Sequence, residues 1–417
     1  MTRRWMSWMP NPPPILNMIV ALLVLLGVVV LAYAAATETP LRYGDERQYV
    51  EIAHSISEGQ GYVLSGSPTA YRPPAWPVII AVFLLLGMPH NLLALIPALL
   101  LVIASFVAVA IGVRLTRSPW GGLAGVAVLT YPLNVYTATT LYPQAFATLL
   151  VLSLWLICLV VSERSDKRPA YLYILAGLLA SLLILSVPTL GLTALVVAGW
   201  LVVTAHGERL RAGLYVLVSF ILPILSWTIR NMVIMGSPIL VSTSGGINLL
   251  IGNNPSATAS SGVNVDIDGV KASAHAMGEV DADKYFRDSA LDWIAHNPGD
   301  SFTLYLAKAA NYFSPYNEPV TAVQGTGVQR LIAYASFGVL ILLVIIRLLL
   351  RARSPLQQTE RLFLWLFFAN SFAMAIFFTR TRFRQPLDSI LLVEASLACV
   401  LLVGMLIRVY RARRGLH

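Results

Sequence analysis

Charge and cysteine are both scarce in this sequence. Of its 417 residues, 12% are charged, whereas roughly a quarter are charged in an ordinary soluble domain. The two cysteines, Cys158 and Cys399, each lie within an apolar run, and no cysteine or histidine spacing resembles a metal site. The sequence therefore gives no basis for a disulfide framework or a zinc site.

Long apolar runs are what the sequence has in abundance. Hydrophobic residues make up 57% of it, and runs close to the ~20 residues that cross a bilayer recur along the chain. The first run exceeds the about 7–15 apolar residues of a signal peptide, so we expect an uncleaved helix. We predict an all-α polytopic membrane protein with about ten transmembrane helices, over 15–36, 92–113, 119–136, 143–162, 170–187, 189–205, 212–230, 328–350, 360–379 and 386–407.

Segment 73–88 is apolar but short. Prolines open it at Pro73, Pro74 and Pro77, and Gly87 and Pro89 close it. Its apolar part is about a dozen residues long, fewer than the ~17 that a span needs. We therefore expect an interfacial or re-entrant helix here.

The basic residues indicate how the chain is threaded. The net charge of +9 is concentrated in short clusters at the ends of apolar runs, which does not point to nucleic acid as a partner. If 73–88 does not span, the clusters at 114–117, 164–168, 209–211, 351–361 and 408–414 share one side with Arg3 and Arg4. Under the positive-inside rule this side is cytoplasmic. We predict a bacterial inner-membrane protein with both termini in the cytoplasm.

This threading leaves two long exterior loops, which we call the first long loop (37–91) and the second long loop (231–327). The second long loop would separate an N-terminal transmembrane module, 1–230, from a C-terminal one, 328–417. It is rich in Gly, Ser and Asn up to Asn264, and helices are then expected over 281–296 and 302–313. We expect Lys308 and Tyr312 to be exposed and the loop to cover a site in the first long loop.

The first long loop contains a predicted amphipathic helix over 44–56. Its residues Tyr49, Ile52, Ala53 and Ile56 recur at the three-and-four spacing of one helical face, and two glycines follow. We expect the helix to lie on the membrane with this face toward lipid, which would hold the acids of its first turn at the water–lipid boundary. From composition alone, those acids are equally well explained as charges favoured at a helix N-terminus.

Here the chain resembles the GT-C glycosyltransferases, most nearly the aminoarabinose transferases of lipid A and the protein O-mannosyltransferases. The resemblance begins with Asp45-Glu46-x-x-Tyr49-x-Glu51-Ile52, Gly61-Tyr62 and Tyr71-Arg72-Pro73-Pro74-Ala75-Trp76-Pro77. It continues in order through Trp227–Asn231, Gly245–Leu249, Gly252–Pro255 and Arg380–Asp388. It implies a GT-C-type fold with interfacial helices in the first long loop and an exterior active site.

The resemblance also implies site residues. In this family the acid of the first loop is the catalytic carboxylate, which corresponds to Asp45, with Glu46 beside it. Family members often carry a second acid after the third span, where this chain has Tyr142 and Gln144 instead, so a two-carboxylate mechanism remains open. Some members use a divalent cation beside the acid, and Mg²⁺ or Mn²⁺ would suit carboxylates and phosphate oxygens.

The activity implied is transfer of a sugar from a polyprenyl-phosphate carrier, such as undecaprenyl phosphate, to an acceptor lipid, glycan or protein. A carboxylate would act on the acceptor hydroxyl as general base, and arginine forks suit the carrier phosphate. The candidate phosphate ligands lie at exterior helix ends: Arg72, Arg230, Arg380, Arg382 and Arg384. The candidate substrate-lining residues are Tyr49, Tyr71, Tyr142, Gln144, Asn248 and Asn253.

Two alternatives stay open at this stage. A lipid or polysaccharide transporter or flippase would also have ten spans, but apart from Glu394 the predicted spans carry almost no charge, and transport paths usually need charged groups. An O-antigen ligase or polymerase would share the donor chemistry but would not explain Asp-Glu directly after the first span. The arginines near residue 382 could likewise serve only as headgroup anchors.

Overall fold

The computed structural model describes residues 14–37, 41–163, 169–205, 207–262, 265–317 and 327–413. Arg3, Arg4, the basic residues at 164–168 and Arg414 lie outside the described residues, as do parts of both long loops.

The described chain is almost entirely helical, as predicted. The helices of the first half are α1 Pro14–Ala36, α2 Gly44–Ser57, α3 Ala75–Leu85, α4 Leu95–Thr116, α5 Leu123–Thr130, α6 Pro132–Ala138, α7 Gln144–Glu163, α8 Ala170–Ser186 and α9 Gly191–Val203. Those of the second half are α10 Arg209–Met235, α11 Gly245–Gly252, α12 Asp268–Ala274, α13 Glu279–His296, α14 Pro298–Asn311, α15 Gly327–Leu349, α16 Gln358–Ala375 and α17 Thr381–Arg413. A small antiparallel hairpin, β1 Val63–Leu64 and β2 Ser67–Pro68, was not predicted.

The protein is a multi-pass membrane protein. In the described part of the chain, six helical segments are long and apolar enough to cross a bilayer. They are Pro14–Ala36, His90–Thr116, Gln144–Glu163, Arg209–Met235, Gly327–Ala352 and Thr381–Arg411. Shorter apolar helices lie between them, so the total of ten spans stays a prediction.

Two predicted spans differ from the structure, one of them because of proline. The span 119–136 is two helices, α5 and α6, since Pro132 has no amide hydrogen and its ring keeps the preceding residue out of the helical region. Tyr131 accordingly has φ −62° and ψ 124°. Residues Pro188–Leu190 form a short 3-10 helix, so the helix predicted over 189–205 begins at Gly191 and is the 13-residue α9.

Helix α3 occupies the ambiguous apolar segment. Its 11 residues span about 17 Å, well short of the ~30 Å of a bilayer core. It packs against α2, and Trp76 in its first turn is fully buried. The length agrees with the expectation that this segment does not cross the membrane.

Burial separates central from peripheral helices. Within their apolar windows, α7 is 72% buried and α17 61%, whereas α10 is 17% buried and exposes its apolar residues where lipid would lie. Close approach of α8 to α10 depends on Gly177, because a Cβ there would lie 2.4 Å from the Val216 carbonyl oxygen. The site described below lies where the long loops meet the ends of the central helices.

The helices contain more buried charge than predicted. Arg347 contacts Glu360 at 2.5 Å and Glu394 at 3.3 Å, which ties α15, α16 and α17 together. Arg384 and Asp388 form a second buried pair, at 2.8 Å, one turn apart on α17. The expectation that the predicted spans carry almost no charge apart from Glu394 therefore missed Arg347, Glu360 and Asp388, and these charges are paired, as charges within membrane spans almost always are.

Candidate active site

Four segments meet at the loop end of the helices: α2, the chain at 69–76, the turn at 139–143 and the start of α17. Asp45 lies at their junction with an arginine on each carboxylate oxygen. Its Oδ1 is 2.6 Å from Nη2 of Arg72, and its Oδ2 is 3.0 Å from Nη2 of Arg382. We call this arrangement the Asp45 bridge. Its three side chains are 15–29% exposed, so they remain accessible to a ligand.

The Asp45 bridge carries two positive charges and one negative charge. Burial alone would raise the pKa of Asp45, but the guanidiniums of Arg382 and Arg72 outweigh that effect and hold it below the ordinary value of 3.8. Asp45 is therefore ionised near neutral pH. One positive charge is left over among the three groups, which favours an additional anion.

Aromatic rings hold both arginines in place independently of Asp45. The Arg382 guanidinium lies 4.6 Å from the Tyr142 ring centroid, and that of Arg72 lies 5.4 Å from Tyr49 and 5.0 Å from Tyr71. Such cation–π contacts favour one position of the planar group. Three of the predicted substrate-lining residues thus surround the Asp45 bridge.

Sequence reasoning missed Gln48, whose Oε1 accepts a hydrogen bond of 2.8 Å from Arg72 Nε. The available signal was its spacing from Asp45, since residues three apart share a helical face. The bond adds another constraint on the orientation of Arg72.

Glu46 faces the protein interior. Its Oε2 accepts from the amide of Tyr43 at 2.9 Å, which caps α2, and its Oε1 accepts from the amide of Leu141 at 2.8 Å. Trp76 Nε1 donates to the carbonyl oxygen of the same Leu141 at 2.7 Å, so the turn that presents Tyr142 is held from both sides. Burial raises the pKa of Glu46, although these amide donors oppose the shift. This geometry favours a positioning role; the predicted catalytic role remains a prediction.

The chain before Arg72 is fixed by the second long loop. The Glu279 carboxylate, at the start of α13, accepts from Thr69 Oγ1 at 2.6 Å, from the Ala70 amide at 2.9 Å and from Thr243 Oγ1 at 2.5 Å. The Thr243 amide donates back to the Ala70 carbonyl oxygen at 3.0 Å. We call this network the loop clamp. It joins the two long loops two residues before Arg72.

The other three candidate arginines lie apart from Asp45. Arg230 donates to the carbonyl oxygens of Thr69 at 2.7 Å and Tyr62 at 2.9 Å, which supports the loop clamp. Arg380 donates to the carbonyl oxygen of Ser260 at 3.2 Å. Arg384 is fully buried against Asp388, so it belongs to the core and not to an exposed helix end as predicted. The structure therefore joins two of the five predicted phosphate ligands to the candidate base.

The remaining predicted lining residues belong to the scaffold. Gln144 is buried at the start of α7, and Asn248 is half-buried on α11. Asn253 donates to the carbonyl oxygens of Leu249 at 2.8 Å and Ile376 at 2.9 Å. Of these three, Asn253 joins α11 to the segment before α17.

Lys308 and Tyr312 are both buried, contrary to the prediction. The Lys308 ammonium donates to the carbonyl oxygens of Gly252 and Phe377, each at 2.8 Å, and to Asn253 Oδ1 at 3.0 Å. Burial lowers the pKa of Lys308 to about 8. A Cβ at Gly252 would lie 1.7 Å from the Phe377 carbonyl oxygen, so glycine is required where α11 meets this turn. This joint fixes α14 against the segment that leads into α17.

A divalent cation does not fit the residues as they are arranged. Both oxygens of Asp45 face guanidiniums, and the neighbouring Glu46 carboxylate is taken by backbone amides. Among the described residues no group of three or more His, Cys, Asp or Glu side chains converges.

Comparison with known proteins gives no match to a family model and none to a curated protein. Among solved structures, the chain is similar to ArnT from Cupriavidus metallidurans bound to undecaprenyl phosphate and in the apo state. Each pair is 15% identical with a TM-score of 0.43, over 91% of this chain and 78% or 77% of the other.

It is also similar to the archaeal oligosaccharyltransferase AglB from Archaeoglobus fulgidus in complex with an inhibitory peptide and a dolichol-phosphate. That pair is 13% identical with a TM-score of 0.44, over 94% of this chain and 51% of the other. Both neighbours are GT-C glycosyltransferases, the class that the sequence motifs resemble.

Proposed function

We propose that the protein is an integral membrane glycosyltransferase that moves a sugar from a polyprenyl-phosphate carrier to a nucleophile on an acceptor lipid, glycan or protein. The observation that carries the proposal is the Asp45 bridge, a carboxylate between two ring-supported guanidiniums at the loop end of a membrane bundle. It combines a proton acceptor with fixed positive charge, the two components that this reaction needs.

The chemistry assigns a different role to each group. The bond between the sugar's anomeric carbon and a phosphate oxygen breaks, and a bond from that carbon to the acceptor oxygen forms. Asp45 takes the hydroxyl proton as general base. The donor phosphate carries one charge as a diester, whereas the departing phosphate monoester carries up to two. Arg72 and Arg382 therefore bind the departing group more strongly than the substrate, which lowers the barrier.

We place the site on the exterior face of the membrane. The opposite end of the bundle carries the arginine clusters: Arg114 at the end of α4 pairs with Glu163 at the end of α7, at 2.7 Å, and Arg353 follows α15. Under the positive-inside rule that end is cytoplasmic. A sugar carried by a polyprenol would then meet its acceptor on the outer side.

The proposal is tested with the purified protein in lipid nanodiscs and a panel of undecaprenyl-phosphate-linked sugars. The readout is release of undecaprenyl phosphate that depends on added acceptor. Asp45→Asn keeps the side-chain shape and removes the base, so turnover should fall by on the order of 10². Glu58→Gln removes one charge from the same loop beyond the end of α2 and should leave turnover near that of the wild type. Full turnover by Asp45→Asn would refute the assignment of Asp45, and a wild-type protein inactive with every donor would refute the activity.

A further inference from the structure

The two guanidiniums assigned to the carrier phosphate are already engaged by Asp45. Each carboxylate oxygen faces a different arginine, at 2.6 Å and 3.0 Å. A carboxylate held in this way is a weak base, because its charge is stabilised by both partners. The group that must accept a proton and the groups that must bind phosphate thus occupy one another in this arrangement.

The arginines are also held by contacts other than Asp45. Arg382 lies on the Tyr142 ring, and Arg72 lies on Tyr49 and Tyr71 and also donates to Gln48. Their forks would therefore stay in place if another anion replaced the carboxylate. A phosphate group offers several oxygens at the spacing that guanidinium forks match.

We infer that Asp45 is the internal occupant of an anion-exchange site, in which the carrier phosphate and the Asp45 carboxylate compete for Arg72 and Arg382. This inference rests on the proposed function. Entry of the donor phosphate displaces the Asp45 carboxylate from the two guanidiniums, and the released carboxylate then accepts the proton of the acceptor hydroxyl. The base is strengthened only when a donor phosphate is bound.

Competition has a consequence that a shared binding role would not have. If Asp45 competes with phosphate, removing its charge must tighten phosphate binding, since the coupling between the two anions is reciprocal. If Asp45 instead belongs to the phosphate site, for example through a shared proton, the same change must weaken binding. Removing the Asp45 charge therefore strengthens phosphate binding in the first case and weakens it in the second.

The test measures binding of farnesyl phosphate, with uncharged farnesol as the reference, to the full-length protein in nanodiscs. We expect the neutral variants Asp45→Asn and Asp45→Ala to bind farnesyl phosphate about three- to tenfold more tightly than the wild type, with farnesol binding unchanged. Arg382→Gln should weaken phosphate binding and reduce the gain from Asp45→Asn in the double variant. Glu58→Gln is the matched control for loss of one negative charge and should bind as the wild type does.

Two results would overturn the inference and are distinguishable from each other. If the wild type prefers farnesyl phosphate over farnesol but both neutral variants bind it equally or more weakly, the exchange is wrong and the proposed function stands. If the wild type shows no preference for the phosphate, the proposed function fails and the exchange fails with it. Thermal unfolding of each variant is measured as well, so that binding is compared only between folded proteins.

Discussion

At the scale of the residue, the neighbours of each charged side chain decide its role. Asp45 and Glu46 are adjacent in sequence, but Asp45 faces two arginines and Glu46 faces two backbone amides. Arg382 and Arg384 differ in the same way, because Arg384 is buried against Asp388. Consecutive residues on a helix point about 100° apart, and alternate residues point about 200° apart. A cluster in sequence is therefore divided between different surroundings.

The pKa of Asp45 gives a prediction at this scale. Burial raises it, but Arg382 and Arg72 lower it below 3.8 overall, so protonation of Asp45 should not limit kcat/KM of the wild type above about pH 4. Arg382→Gln removes one of the lowering charges, and the acid limb of the profile should then move to higher pH. We expect this shift in kcat/KM, which reports the free enzyme. An unchanged acid limb with intact folding would show that Arg382 does not act on Asp45.

At the scale of the element, the sequence was informative where a pattern is local. The period of Tyr49, Ile52 and Ala53 predicted α2, which the structure confirms over Gly44–Ser57. These residues are nevertheless buried within the protein instead of facing lipid, because α3 and the neighbouring segments cover them. Periodicity identifies an apolar face but not its partner. The apolar run over 119–136 was also predicted as one span, although Pro132 divides it into two helices.

Lys308 was mispredicted because its partners are remote in sequence. The three oxygens that accept from its ammonium belong to Gly252, Asn253 and Phe377, and no local pattern brings these residues to α14. A lysine next to apolar residues is normally expected at a surface. The same reason explains why the loop clamp, with partners in both long loops, could not be predicted.

Lys308→Met gives a prediction on stability. It should lower the thermal unfolding temperature, because each buried oxygen left without a donor costs ~1–3 kcal/mol. Lys271→Met is the matched control, since Lys271 forms an exposed pair with Asp268 at 3.4 Å, and such pairs contribute ~0–1 kcal/mol. Equal unfolding temperatures for the two variants would contradict the role assigned to Lys308.

The pH dependence of the free energy of unfolding supplies a second test of Lys308. The pKa of Lys308 is about 8 in the folded state, against ~10.4 in an unfolded chain. Between these values the unfolded state binds more protons, so this residue makes stability rise with pH there. Across this pH range the wild type should therefore gain stability relative to Lys308→Met. Parallel stability curves for the two proteins across this window would contradict it.

At the scale of the whole molecule, two groups of charged residues lie at opposite ends of the helical bundle. The Asp45 bridge and the long loops lie at one end of the helical bundle, and the arginines that follow α4 and α15 lie at the other. Composition and positive-inside counting were enough to predict a polytopic helical protein with this polarity. They were not enough to show which arginines reach Asp45, because that depends on how the helix ends pack.

Thiol labelling in intact cells tests the orientation. In a background with Cys158 and Cys399 replaced by Ala, single cysteines are introduced at Ser273 on α12 and at Ala352 after α15, both exposed. We expect an impermeant reagent to label position 273 from outside and to spare position 352, because the positive-inside rule places the arginine end in the cytoplasm. Permeabilised cells, in which both positions should react, provide the control. The reverse labelling would place the Asp45 bridge in the cytoplasm.

The loop clamp bears on how such an enzyme could be re-engineered for a new acceptor. Glu279 and Thr243 come from the second long loop, while Thr69 and Ala70 come from the first. A chimera that imports the second long loop alone would separate the Glu279 carboxylate from two of its three donors, Thr69 and Ala70, and disturb the segment leading to Arg72. The two loops are therefore a single exchangeable unit, and grafts should carry both or retain residues 69, 70, 243 and 279 together.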